Sequence, residues 1–260
     1  MIGIFDSGAG GLTVLRHLRH LLPSADLVYV GDQRHAPYGG RPVGEVRELA
    51  TDIAGQLVAD GCSVVVVACN TASAAALHHL RAVFPGIRFV GMEPAVKPAA
   101  AITRRGVVGV LATRVTAGGG LLASVVARHG EGVRVVTRAC DGWVELVERG
   151  EVAGPTAEEA VARHVDPVLA AGADTLVLAC THYPFLVPLI GLRAGPSVSI
   201  VDPGSAVAAQ AARTAAATGV ATGNGRLDLR STAGPARAAA LADRLARLDD
   251  TRHAVTFPSA

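Results

Sequence analysis

Residues 61–69 read Gly61-Cys-Ser-Val-Val-Val-Val-Ala-Cys69, in which an apolar run over 64–68 follows a glycine turn and stops at a cysteine. Residues 172–180 repeat this pattern as Gly172-Ala-Asp-Thr-Leu-Val-Leu-Ala-Cys180, with the glycine, the alanine and the second cysteine in register. A short run of this kind, bounded by turn residues, is typical of a strand that is buried on both faces. A second pair, Ile2-Gly-Ile-Phe-Asp-Ser7 and Val108-Gly-Val-Leu-Ala-Thr113, recurs in the same order. The two pairs predict duplicated α/β halves, each with one cysteine just past the end of a strand.

Short β-branched runs alternate with longer segments of helical spacing along most of the chain. Such alternation predicts a parallel sheet that helices cover on both faces. Ligands of open α/β sheets bind outside the carboxyl ends of the strands, so two such ends facing each other would bring both cysteines to one cleft. We therefore predict an α/β fold of two pseudo-symmetric, doubly wound parallel-sheet domains, with both cysteines at the cleft between them. The predicted strands are 2–5, 27–30, 64–68, 88–90, 107–111, 133–136, 175–179, 198–201 and 227–229, and the predicted helices are 12–22, 43–59, 71–83, 117–129, 143–149, 156–171, 205–217 and 235–248.

The domain boundaries follow from the same repeat. We expect residues 1–95, together with 206–260, to form the first domain, which contains Cys69. Residues 96–205 are expected to form the second domain, which contains Cys180. The chain thus returns to the first half at its end, and residues after Asp250 are predicted to form a loose tail.

The composition excludes several classes of protein. Half of the residues are hydrophobic, which is enough to bury a core and argues against disorder. With 24 basic against 22 acidic residues and 3% aromatics, the chain has neither the basic stripe nor the stacking residues of a nucleic-acid binder. No run approaches the roughly 20 apolar residues of a membrane span, and no basic leader precedes the first strand. Four cysteines without a C-x-x-C pair fit a reducing compartment, so we expect a cytoplasmic chain with no direct nucleic-acid partner and no membrane partner.

A Schiff-base cofactor is also disfavoured. Lys97 is the only lysine in the chain, and it lies between Pro94 and Pro98, a poor place from which to present an amine. The glycine-rich loop after the first strand has Thr13 where a dinucleotide-binding fingerprint requires a third glycine. We therefore expect no cofactor.

Cys69 and Cys180 are the strongest candidates for chemistry. Each ends an apolar strand, and short polar residues follow it, Asn70-Thr71 in the first case and Thr181-His182 in the second. We expect these residues to open the next helix in both cases, and the free N–H groups of a helix N-terminus suit a carboxylate ligand and favour a thiolate. Inversion of a stereocentre by proton transfer needs one base on each face of the carbon. A thiol can act as either acid or base near neutral pH, so two thiols suit that reaction.

Other side chains near these thiols are open to more than one interpretation. A metal site formed by Cys69, Cys180 and His182 is an alternative to thiol chemistry, although the closely spaced pairs typical of metal ligands are absent from the sequence. Asp6 and Ser7, at the tip of the first strand, could meet a substrate amino group or orient a cysteine, whereas an ordinary helix N-cap is the other interpretation of Asp6. Asp6 and His182 are each expected near one cysteine and are natural partners for tuning it. We expect the remaining two cysteines, at 62 and 140, to be small core residues.

Four motifs occur in a recognisable order and spacing across roughly residues 2–205. They are Asp6-Ser7-Gly8 followed by Gly10-Gly11-Leu12-Thr13, Pro37-Tyr38-Gly39, Ala68-Cys69-Asn70-Thr71-Ala72 and Cys180-Thr181-His182-Tyr183-Pro184. Together they resemble the bacterial glutamate racemases of the aspartate/glutamate racemase superfamily. The resemblance implies a cofactor-independent enzyme that interconverts L- and D-glutamate and supplies D-glutamate for peptidoglycan. It also implies a homodimer, with the active site of each chain in the cleft between its two α/β domains.

The resemblance further implies roles for individual residues. Cys69 and Cys180 match the two proton-transfer positions, with Asp6 assisting Cys69, and with Glu148 and His182 assisting Cys180. Glu145 lies one helical turn from Glu148 and is an alternative for the supporting carboxylate. The positions that match substrate contacts are Asp6, Ser7, Tyr38, Gly39, Asn70, Thr71, Thr181 and His182.

Two alternative functions stay open at this stage. The first is another two-cysteine racemase, with aspartate or a hydantoin as substrate. The second is a non-catalytic binder, since some relatives in this family are reported to inhibit DNA gyrase. The near-neutral charge gives no support for direct contact with DNA.

Overall fold

A computed structural model describes residues 1–250, and it describes side chains through residue 248. The predicted loose tail therefore lies outside the described residues. The strands are β1 (Ile2–Asp6), β2 (Leu27–Gly31), β3 (Val64–Val67), β4 (Arg88–Gly91), β5 (Val107–Ala112), β6 (Arg134–Ala139), β7 (Thr175–Ala179), β8 (Ser199–Val201) and β9 (Leu227–Ser231). The helices are α1 (Leu12–Leu21), α2 (Val43–Ala59), α3 (Asn70–Val83), α4 (Val96–Ile102), α5 (Arg114–Ala117), α6 (Gly120–His129), α7 (Trp143–Arg149), α8 (Pro155–Ala170), α9 (Val187–Ala194), α10 (Gly204–Ala217) and α11 (Pro235–Asp250).

The described chain divides into two compact units, residues 1–92 with 204–250 and residues 93–203. Within the described residues, no helix is both long enough and apolar enough to cross a bilayer.

The first unit is built on a five-stranded parallel sheet in the order β4-β3-β1-β2-β9. Every residue of β3 is buried: Val64 and Val66 pack into one apolar cluster, while Val65 and Val67 pack into a second. Because successive side chains of a strand point to opposite faces, this separation shows that both faces of the sheet are covered. The continuous valine run is therefore the expected signature of an interior strand.

The second unit is built on a four-stranded parallel sheet in the order β6-β5-β7-β8. Here Val108 and Val110 belong to one apolar cluster, while Leu111 belongs to another. Both faces of this sheet are covered as well.

The two sheets share one strand order. Read from the matching edge, β4-β3-β1-β2 in the first unit corresponds to β8-β7-β5-β6 in the second, and β9 extends the first sheet beyond β2. The repeated segments are therefore the central strands β1 and β5 and their neighbours β3 and β7. This arrangement confirms the prediction of two pseudo-symmetric, doubly wound parallel-sheet domains.

Two helices were absent from the prediction, and a third segment differs from it. Both α4 and α9 carry a proline near the start, Pro98 and Pro188, which the sequence pattern presents as a loop signal. A proline in the first helical turn removes only an N–H that has no intrahelical partner, so the helix tolerates it. The predicted helix 117–129 is divided at Gly118 and Gly119, between α5 and α6.

Candidate active site

Cys69 lies at the carboxyl edge of the first sheet and is the N-cap of α3. Its backbone is extended, and its Sγ accepts the N–H of Ala72 at 3.4 Å. The thiol also donates to Ser7 Oγ at 3.8 Å, because β1 and β3 are paired in parallel and end side by side. A helix N-terminus stabilises negative charge, so this position favours a thiolate.

Asp6, the last residue of β1, is fully buried. Its Oδ2 accepts the N–H of Gly8 at 3.0 Å, so the carboxylate closes the turn after the strand. The interpretation of Asp6 as an ordinary helix N-cap is wrong, since Gly11 is the N-cap of α1. A Cβ on Gly11 would lie 2.8 Å from Asp6 Cβ and 3.1 Å from the Ala68 carbonyl oxygen, which explains a glycine at this point in the loop.

Asn70 and Thr71 form the first turn of α3 and are both buried. The side-chain amide of Asn70 is 2% exposed, and neither its nitrogen nor its oxygen has a hydrogen-bond partner within the described part of the chain. A buried amide with no partner costs free energy in the unliganded protein. Such a group needs a specific explanation, and a polar ligand that binds next to Cys69 would supply one.

Tyr38 and Gly39 lie in a 3₁₀ turn, Tyr38–Gly40, after β2. The Tyr38 ring is buried, and its hydroxyl donates to Asp32 Oδ2 at 2.6 Å. Burial is the main cause that raises the pKa of Tyr38 far above its usual range, and the neighbouring charge of Asp32 acts in the same direction. The phenol is therefore neutral, and its hydroxyl proton is used in the hydrogen bond to Asp32. This leaves the backbone groups of the turn, rather than the hydroxyl, to contact a ligand.

Asp32 itself is a side chain that the sequence analysis missed. Its carboxylate also accepts from Thr232 Oγ1 at 2.6 Å, and its Oδ1 lies 2.9 Å from His35 Nδ1. Its backbone N–H donates to the carbonyl of Asp6 at 2.9 Å. Asp32 thus connects the end of β1, the Tyr38 turn and the segment after β9.

In the second unit, Cys180 directly follows β7 and is buried. Its Sγ lies 3.9 Å from His182 Nδ1, and His182 Nε2 lies 2.7 Å from Glu148 Oε1 on α7. The His182 imidazole is 1% exposed, and the Glu148 side chain is 17% exposed. Glu145, on the same helix, is exposed. The structure therefore brings Glu148, rather than Glu145, together with His182 and Cys180.

The surroundings of Cys180 differ from those expected. Thr181 and His182 lead into a 3₁₀ turn, Tyr183–Leu186, and α9 begins only at Val187. The prediction of a helix N-terminus next to each cysteine is thus correct for Cys69 and wrong for Cys180. The two thiols have different neighbours: a helix N-terminus and a hydroxyl for the first, an imidazole and a carboxylate for the second.

The other two cysteines have apolar surroundings. Burial raises the pKa of the Cys62 thiol to about 11. Burial also raises the pKa of Cys140 well above its usual range. Both thiols stay protonated near neutral pH, as expected for core residues.

The second unit contains one further candidate side chain at its carboxyl edge. Thr113 follows β5 as Ser7 follows β1, and its side chain is 7% exposed. Its hydroxyl donates to Thr116 Oγ1 at 3.1 Å. The register of the repeat, which aligns Ser7 with Thr113, was the signal that could have identified it. Among the described residues, no group of three or more His, Cys, Asp or Glu side chains is placed to hold a metal ion.

Comparison with known proteins identifies the family. The Asp/Glu/Hydantoin racemase family model matches residues 13–212. The glutamate racemase of Roseiflexus sp. (strain RS-1) is 50% identical over 248 residues, which is 94% of this chain and 91% of that protein.

Solved structures agree with this result. Escherichia coli glutamate racemase, in complex with L-glutamate and the activator UDP-MurNAc-ala, is similar with a TM-score of 0.81 and 30% identity, over 95% of this chain and 94% of that one. Thermus thermophilus glutamate racemase, in complex with beta-chloro-D-alanine, is similar with a TM-score of 0.78 and 38% identity, over 94% and 92% of the two chains. The chain therefore belongs to the Asp/Glu/Hydantoin racemase family and, within it, to the glutamate racemases.

Proposed function

We propose that this chain interconverts L- and D-glutamate through two thiols, Cys69 and Cys180, and without a cofactor. The observation that carries the mechanism is the equivalent placement of these two thiols. Each lies within two residues of the end of the equivalent strand in the shared topology, and each has a polar partner of its own, Ser7 or His182. Members of the glutamate racemases are isomerases, and the chain is one of them.

In the proposed reaction, one thiolate removes the α-proton of glutamate and becomes a thiol. The electron pair left on the α-carbon is delocalised into the adjacent carboxylate. The opposite thiol then delivers its proton to the other face of that carbon and becomes a thiolate. The reverse direction exchanges the two roles, so each cysteine acts as base for one enantiomer and as acid for the other.

Different groups assist the two thiols. We assign Asp6 to the side of Cys69, with the α3 N-terminus favouring its thiolate. We assign His182 to Cys180, and Glu148 to the orientation of His182 and the stabilisation of its protonated form.

The substrate contacts are proposed for Asp6, Ser7, Tyr38, Gly39, Asn70, Thr71, Thr181 and His182. The buried, unpartnered amide of Asn70 supports a polar ligand beside Cys69. Tyr38 would contribute through its backbone, since its hydroxyl is occupied by Asp32. Thr113 is added to this set because it stands where Ser7 stands in the first unit.

The remaining parts of the proposal concern cofactor, assembly and location. Lys97, the only lysine, is exposed near the start of α4 and does not lie at a strand end. The four free thiols are typical of a reducing compartment and support a cytoplasmic location. Supply of D-glutamate to peptidoglycan and a homodimeric assembly belong to the same proposal.

Proton exchange in D2O tests the function directly. The purified protein, without added cofactor, should exchange the α-proton of either glutamate enantiomer for deuterium and should erase the optical rotation of both. Cys69→Ser and Cys180→Ser should each abolish racemisation. No exchange with either enantiomer would contradict the proposal, and faster exchange with aspartate in an amino-acid panel would favour an aspartate racemase.

A further inference from the structure

Trp143, the only tryptophan of the chain, is the first residue of α7 and is fully buried. Its indole Nε1–H donates to the carbonyl oxygen of Ala160 on α8 at 3.0 Å. The start of α7 is therefore fixed to α8 by a buried hydrogen bond. A tryptophan is rarely buried in full unless its N–H finds such a partner.

The Trp143 ring also contacts the segment that carries the candidate imidazole. It lies edge-to-face against Tyr183, with ring centroids 4.8 Å apart and an interplanar angle of 74°. The Trp143 ring also lies edge-to-face with His164, with ring centroids 5.8 Å apart and an interplanar angle of 84°. The Tyr183 hydroxyl donates to the carbonyl oxygen of Cys140 at 3.4 Å, so Tyr183 is held from two directions.

These contacts connect the two segments that form the pair beside Cys180. Tyr183 directly follows His182, while Glu148 lies five residues after Trp143 on the short helix α7. A helix rises about 1.5 Å per residue, so Glu148 lies about 7.5 Å along the axis from the anchored end. A small tilt of α7 about Trp143 would break the 2.7 Å contact between Glu148 and His182.

We propose that Trp143 is a positioning residue: its edge-to-face contact with Tyr183 and its hydrogen bond to α8 hold Glu148 against His182. This inference rests on the proposed function, because it assumes that the Glu148–His182 pair assists Cys180. Trp143 acts through Glu148 and needs no contact with the substrate. The chemistry that it supports is the protonation state and orientation of one imidazole.

Substitution of Trp143 by two smaller side chains tests the proposal. Trp143→Leu removes the ring and should lower kcat roughly tenfold to a hundredfold, with a change in KM below about threefold, since misplacement of a catalytic group by about 1 Å has effects of this size. Trp143→Phe keeps a ring against Tyr183 but loses the indole N–H. Its kcat should stay close to that of the parent and should lie between the values of the parent and of Trp143→Leu.

The rate of iodoacetamide alkylation at Cys180, relative to that at Cys69, separates positioning from a general loss of structure. A loosened fold would expose the buried Cys180 and raise this ratio. Loss of an aligned imidazole would lower it, because an imidazole nitrogen 3.9 Å from Sγ is placed to take the proton of the thiol as it attacks the reagent. We expect a lower ratio in Trp143→Leu and a smaller decrease in Trp143→Phe.

Leu122→Ala is the matched stability control. Leu122 is buried in the apolar cluster on the other face of the second sheet, away from Trp143. It should lower Tm by an amount comparable to Trp143→Leu, yet it should leave both kcat and the alkylation ratio at parental values.

A double variant tests the route of the effect. If Trp143 acts through Glu148, addition of Trp143→Leu to a Glu148→Gln background should lower kcat by less than about twofold further. Multiplication of the two single effects would overturn the inference, as would an unchanged or raised alkylation ratio. If Trp143→Leu does not fold, an unchanged ratio in Trp143→Phe overturns it. Racemisation that persists in Cys180→Ser would instead contradict the proposed function.

Discussion

The Glu148 carboxylate and the His182 imidazole lie 2.7 Å apart, between Oε1 and Nε2. The other ring nitrogen of His182 faces Cys180 Sγ at 3.9 Å, so the imidazole stands between a carboxylate and a thiol. A carboxylate in this position orients the ring and favours its protonated form. The half-site in the second unit is therefore a chain of three groups, of which Glu148 is the outermost.

The first prediction concerns that outermost group. Glu148→Gln keeps the shape of the side chain but removes its charge, so it should lower kcat roughly tenfold to a hundredfold with little change in KM, below the effect of removing a direct general acid or base. Steady-state kinetics in both directions measure this change. Glu145→Gln is the control, because Glu145 is exposed on the same helix. A greater loss in the Glu145 variant than in the Glu148 variant would contradict the assignment.

The second prediction concerns the glycines of the two central strands. A Cβ on Gly109 of β5 would lie 2.2 Å from Val168 Cγ1 and 2.8 Å from Leu176 Cδ2. At Gly3 of β1, the equivalent position, the nearest atoms are Leu57 Cδ1 at 3.0 Å, Leu57 Cδ2 at 3.1 Å and Cys62 Sγ at 3.2 Å. A β-branched valine in a helix has little freedom to move, whereas the end of a leucine can shift. Gly109→Ala should therefore lower the free energy of unfolding by about 1–3 kcal/mol and Gly3→Ala by less, as measured by urea denaturation.

A compensating change tests the cause. Addition of Val168→Ala to Gly109→Ala should recover part of the lost stability, because it removes the atom that the new methyl group meets. Strictly additive losses would show that the clash with Val168 is not the reason.

Much of the fold was predictable because its determinants are local in sequence. The four valines of β3 and their repeat in β7 specify buried parallel strands by their own apolar character. The determinants that were missed are non-local. Asp32 receives a hydrogen bond from Thr232, 200 residues further along the chain, and nothing near Asp32 in the sequence marks that partner.

The candidate site, like the fold, was predictable only where its determinants are local in sequence. Its thiols follow a repeated strand pattern, so their placement could be inferred from register. The difference between the neighbours of the two thiols could not be inferred, because it depends on whether a 3₁₀ turn or an α-helix follows each cysteine. The choice of Glu148 over Glu145 likewise depends on how α7 is rotated against the segment that contains His182.

The third prediction concerns stability at acid pH. Burial is the main cause that lowers the pKa of His17 from 6.5 to about 4, and the charges of Arg16 and His20 act in the same direction. The unfolded chain therefore takes up a proton at this site before the folded chain does. The contribution of His17 to stability is present above pH 6.5 and is lost as the pH falls towards 4. Urea denaturation at several pH values between 4 and 7 should show a decline over this window that is shallower in His17→Gln.

His78→Gln provides the comparison for that experiment, since His78 is exposed on α3 and is not among the charges that act on His17. It should retain the parental decline. Equal slopes in the parent and in His17→Gln would show that His17 does not titrate in the way its burial requires.

The fourth prediction sets stability against function at Asn70. Its amide is buried beside Cys69 and has no hydrogen-bond partner among the described residues, so the free protein bears the cost of desolvating it. Leucine has nearly the same size and no polar atoms, and it removes that cost. Asn70→Leu should therefore raise the free energy of unfolding of the unliganded protein by about 1 kcal/mol, the low end of the cost of an unsatisfied buried group. The same change should raise KM for glutamate at least about tenfold, because the ligand loses the amide that it would satisfy.

Thermal unfolding with and without glutamate measures both effects of Asn70→Leu: the variant should have a higher Tm than the parent without ligand, and its Tm should rise less when glutamate is added. A variant that is less stable than the parent when unliganded would show that the amide is satisfied in the free protein, and the argument for a ligand at Asn70 would fail.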